Sequence, residues 1–93
     1  MPINIYADDE SKRRIAWLCD DNWRLPDQIE ALESWLELNR SKVKGGRYIA
    51  DIGFAPREDA SGGTAISPAM LRTLADLGIS LFLSEYPPIT NGQ

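Results

Sequence analysis

The sequence predicts an α+β domain: a four-stranded, largely antiparallel sheet with two helices packed on one face, in the order strand, strand, helix, strand, helix, strand. Three observations carry that expectation. Two stretches, RYIADIGF and ISLFLSEY, alternate apolar and polar residues as strands do. Two others space leucine and isoleucine at three and four residues, as helices with one buried face do. And 93 residues make one domain, with a chain long enough for one small core.

The elements follow in order. Ile3, Ile5 and Ala7 alternate with polar or amphipathic neighbours and predict a short strand, ended by Asp8-Asp9-Glu10. Residues 11–19, SKRRIAWLC, fit two patterns. Ile15, Trp17 and Cys19 alternate as in a strand, whereas Ile15, Leu18, Cys19 and Trp23 fit a helix. The strand is preferred, and with the first it makes a hairpin around a polar turn at residues 8–12.

Residues 26–40 predict a helix. Pro26 suits its first position and Asp27 its first turn, while Leu25, Ile29, Leu32 and Leu36 share a face. Lys44-Gly45-Gly46 closes that region. In the strand over 47–54, Tyr48, Ala50, Ile52 and Phe54 face one side and Ile49, Asp51 and Gly53 the other. Residues 55–65 have a loop's composition.

The second helix is punctuated at both ends. Ser67 is an N-cap, Pro68 takes the first helical position, Ile66 and Leu71 are placed for a hydrophobic staple, and Gly78 is a stop able to take positive φ. Leu71, Leu74 and Leu77, with Met70 beside them, form its predicted apolar stripe. In the last strand Ile79, Leu81 and Leu83 face the core, while Ser80, Phe82, Ser84 and Tyr86 face away; Pro87-Pro88 ends it.

Composition narrows the function. The net charge of −4 speaks against nucleic-acid binding, which needs a basic face. No apolar run approaches the ~18 residues that span a membrane, and the opening MPINIYADDE has no signal-peptide pattern, so a cytoplasmic location is expected. The chain has no histidine, which removes the commonest general base and the usual triads. Cys19, the lone cysteine, reads as a small core residue. Asp20-Asp21-Asn22 begins like a calcium loop, but Leu25 and Ala31 stand where its glycine and bidentate acid belong. No catalytic residue, metal site or cofactor is therefore expected.

What remains is surface. Trp23 lies in DDNWRLP beside Asp20, Asp21 and Arg24, a composition found in interface hot spots. Glu30, Glu33 and Glu37 lie on a flank of the first helix's stripe. The leading expectation joins these six (Asp20, Asp21, Trp23, Glu30, Glu33 and Glu37) into an acidic surface that binds another, basic protein. The alternatives are a homodimer through the exposed sheet face or an edge strand, with Ile49, Phe82 and Tyr86 at the interface, and a small-molecule or carboxylate-based catalytic domain using Asp51 and Tyr86.

The run LPDQIEALESWLELN, then YIADIGFAP, then ISPAMLRTLADLGISLFLSEY resembles a bacterial family described as domain of unknown function 4279, over about residues 13–88. The resemblance rests mainly on Ser67, Leu71, Leu74, Gly78, Ile79 and Tyr86, and departs at the N-terminus. It implies the same fold and a bacterial or phage source, where an immunity-type or anti-defence inhibitor would suit a compact acidic domain. It supplies no activity and no site residues.

Overall fold

In a computed structural model, described for residues 2–19, 21–55 and 63–86, the chain forms β1 (Ile3–Ala7), β2 (Arg14–Leu18), α1 (Leu25–Asn39), β3 (Tyr48–Phe54), α2 (Pro68–Leu77) and β4 (Ile79–Glu85). The strands make one sheet in the order β2-β1-β3-β4. β1 pairs antiparallel with both β2 and β3, while β3 and β4 are parallel. The parallel pair follows from α2, which carries the chain back to the end of the sheet where β3 began.

The hairpin turn is held by short-range polar chemistry. Asp9 Oδ1 accepts from the Ser11 amide at 2.9 Å and the Ser11 hydroxyl at 2.6 Å, and Lys12 takes a positive φ of 50°. The hydroxyl bond holds the Asp9 carboxyl below its ordinary pKa. A bulge between Ile5 and Tyr6 sets Tyr6 opposite Arg14.

One face of the sheet is covered by both helices. Ile3, Ile5, Ala50, Ile52 and Ile79 meet Ile29, Leu32 and Leu36 of α1 and Met70, Leu74 and Leu77 of α2 in a single buried cluster. Cys19 packs at its margin, half-buried and at φ 54°; burial, then the Asp27 charge, pushes its thiol pKa up.

Two expectations about helix and strand faces need correction. Leu71 is 50 % exposed, because the buried stripe of α2 runs through Met70 instead. Leu83 faces the helix side but is 52 % exposed, since β4 is an edge strand and its far end lies beyond the helices' cover.

The cap of α2 also differs in reach from a local motif. The Ser67 hydroxyl oxygen accepts from the Met70 amide at 3.1 Å and its O–H donates to Glu33 Oε2 at 3.0 Å, tying α2 to α1. At the other end Gly78 takes φ 75°, and its carbonyl accepts from the Tyr48 amide at 2.9 Å, which seats the start of β3 beside the start of β4.

Candidate functional site

The face turned from the helices is open. Asn4, Tyr6 and Trp17 lie on it from β1 and β2, Ile49 and Asp51 from β3, and Ser80, Phe82 and Ser84 from β4, as the register requires. At the β2 side Arg14 stacks 4.0 Å from the centre of the Trp17 ring, and the Lys12 ammonium stands 5.9 Å from that of Tyr6. At the centre the Ser84 hydroxyl donates to Asp51 Oδ1 at 2.7 Å.

The most constructed part of this face is the corner where β3 and β4 end. Trp23 and Tyr86 meet edge to face, ring centres 5.3 Å apart and planes at 77°. Both rings close over Gly53: a Cβ there would lie 2.8 Å from Tyr86 Cε1 and 3.4 Å from Trp23 Cζ3. Only hydrogen leaves room for the pair.

The loop bearing Trp23 is fixed from several sides. The Ala55 amide donates to the Trp23 carbonyl at 3.0 Å, and the Tyr86 amide to the Phe54 carbonyl at 2.9 Å. Gln28, fully buried at the first turn of α1, donates from Nε2 to the carbonyls of Asn22 and Gly53, each at 2.7 Å; among the described residues its Oε1 has no partner. Asn22 itself accepts from the Arg24 amide at 3.0 Å and donates to Asp27 at 3.2 Å, shaping the entry to the helix. Trp23 therefore stands on a braced loop and Tyr86 on the end of a strand, and Tyr86 remains 46 % exposed. A rigid, half-exposed aromatic pair is a contact surface that gives up little side-chain entropy on binding.

The fold divides the six residues of the expected acidic surface. Trp23 lies on the open face, with Asp21 exposed close by in the chain; Asp20 lies outside the described residues. Glu30 is exposed on α1, on the other side of the sheet. Glu33 is engaged by Ser67, and Glu33 and Glu37 line a small groove between α1 and α2 with Arg40 and Met70. Conversely, the structure joins Trp23 to Tyr86, which the sequence reading put on a different surface. Phe82 is exposed and Ile49 half-buried, both on the open face with Tyr86.

Among the described residues, Asp51 lines a shallow, wide-open depression with Asn4, Tyr6 and Lys12. Among the described residues no three His, Cys, Asp or Glu side chains gather as metal ligands. No described helix is long and apolar enough to cross a membrane.

Sequence reasoning does not find Gln28 or Gly53. Gln28 reads as an ordinary polar helix residue, and nothing near it in sequence marks the carbonyls it reaches. Gly53 carried a weak signal: a glycine inside an alternating strand often marks a close approach by something else. No family model, curated protein or solved structure matches this chain.

Proposed function

We propose that this is a non-catalytic protein-binding domain that recognises its partner through the open sheet face, with Trp23 and Tyr86 as the anchor. The observation that carries this reading is the Trp23–Tyr86 pair seated on Gly53 and braced by Gln28, while its outer surface stays accessible. Aromatic anchors in a braced setting are what dominate binding energy at protein interfaces.

Exposed negative charge at the rim, Asp21 two residues before Trp23 in the chain, suits a partner with basic residues, while Asp27 on the first turn of α1 is already paired with Arg24 at 3.7 Å. Such a rim speeds association and selects among partners more than it adds affinity. An immunity-type or anti-defence inhibitor in a bacterial or phage cytoplasm fits these features.

Trp23→Ala tests the anchor. Titration calorimetry against the partner should show affinity weakened about 30-fold, near 2 kcal/mol, with the circular dichroism of the domain unchanged. Unaltered affinity would remove Trp23 from the interface.

A further inference from the structure

The two edges of the sheet are built differently. β2 is five residues long, begins with Arg14 and lies beside the Ile5/Tyr6 bulge, all features that discourage pairing with another strand. β4 is seven residues long, keeps an unbroken register with β3, and carries no charge before Glu85. Phe82 is 56 % exposed on one of its sides and Leu83 half-exposed on the other. Among the described residues nothing pairs with its outer edge. A long, apolar, regular edge is a template for another strand.

We propose that two copies of this chain pair antiparallel through β4, about a two-fold axis at Phe82, to form one continuous sheet. The strand is self-complementary: Ser80-Leu81-Phe82-Leu83-Ser84 reads the same in both directions. Antiparallel pairing centred on Phe82 therefore sets Ser80 opposite the partner's Ser84, Leu81 opposite the partner's Leu83, and Phe82 opposite the partner's Phe82. Such a contact is isologous and closes at two copies.

The backbone agrees with this register. The Tyr86 amide donates to Phe54, and the Gly78 carbonyl accepts from Tyr48, so the even-numbered residues of β4 are turned toward β3. The amides and carbonyls of Leu81 and Leu83 then point outward. In the proposed register these two residues fall opposite each other and exchange both bonds, as a hydrogen-bonded antiparallel pair must. Phe82 falls at a non-hydrogen-bonded pair, where the Cα atoms stand ~4.5 Å apart. Glu85 falls opposite the partner's Ile79 and meets no second carboxylate. The side chains agree as well: the leucines cover one another on the helix side, and the two Phe82 rings on the open face. The register leaves Tyr86 just past the paired residues, opposite the partner's Gly78, and a dimer displays the Trp23–Tyr86 corner twice.

Cross-linking reads the register directly. In a Cys19→Ser background, Phe82→Cys should give a covalent dimer on mild oxidation, because its opposing Cα lies within the ~4.4–6.8 Å that a disulfide spans. Ser80→Cys alone should give little covalent dimer, and Ser80→Cys with Ser84→Cys should cross-link. Sedimentation should show wild-type dimer dissociating on dilution over about a hundredfold range, and Leu83→Lys monomeric at the same concentrations with unchanged circular dichroism. Three results would overturn the proposal: a wild-type chain monomeric throughout, Ser80→Cys cross-linking as fast as Phe82→Cys, or a dimer that withstands Leu83→Lys and is lost with Tyr86→Ala.

Discussion

Two glycines mark opposite ends of the β3–β4 pair, and they are glycine for different reasons. At Gly78, where β4 begins, φ is 75° and a Cβ would lie 1.8 Å from the Gly46 carbonyl oxygen. Backbone meets backbone there, and neither side can yield. At Gly53, near the end of β3, the backbone is not left-handed, and the space a Cβ would need is taken by the rings of Tyr86 and Trp23. Rings can turn. The first glycine belongs to the fold, and the second belongs to a surface that the fold holds up. The difference separates what this chain must have to fold from what it displays.

Gly78 is the less forgiving of the two glycines. Gly78→Ala combines a strained φ with a backbone clash and should cost about 3 kcal/mol or more. In a domain of this size that lowers the thermal midpoint by roughly 15 °C or abolishes folding, as circular dichroism melting will show. Gln28→Ala comes next. It leaves the carbonyls of Asn22 and Gly53 without their shared donor and should cost about 2 kcal/mol in denaturant titration. Hydrogen exchange should rise around residues 22–24 before it rises in α2. Gly53→Ala should cost only about 1 kcal/mol, since Tyr86 can swing aside, yet it should disturb the Trp23–Tyr86 contact in NMR spectra of the rings. Equal losses at Gly53 and Gly78 would erase the distinction between the two.

The smallest effect concerns Cys19. Burial, then the charge of Asp27, raises its thiol pKa in the folded chain, so the unfolded chain ionises first as pH rises. Stability should therefore decline slightly above about pH 8.5 in wild type and not in Cys19→Ser, by parallel denaturant titrations. The native thiol should also react with alkylating reagents more slowly than a free cysteine.

The parts of the fold legible in the sequence were those written in short-range chemistry. Ser67 caps α2 three residues ahead, and Gly78 ends it, because both roles are decided within one turn. The hairpin was legible as alternation on either side of a polar turn. Leu71 was not, since it and Met70 flank Leu74 on the helix surface, ~60° to one side and ~40° to the other, and packing against the sheet decides which of the two is buried. Glu33 read as part of an acidic surface because its partner, Ser67, is far along the chain. The same holds for the candidate site. Trp23 stood out by its composition and Tyr86 by its place in the strand, but only the closing of β4 against β3 brings their rings together over Gly53.

We infer that recognition belongs to the open face at Trp23 and Tyr86, and not to the acidic flank of α1. Affinity capture from the native cell decides it, with wild type, a Trp23→Ala/Tyr86→Ala variant and a Glu30→Gln/Glu37→Gln variant as parallel baits of matched stability. A partner held by wild type and by the glutamine variant but lost from the alanine variant is the predicted result. A partner that stays with the alanine variant and is lost from the glutamine variant would contradict the claim and move recognition to the helices.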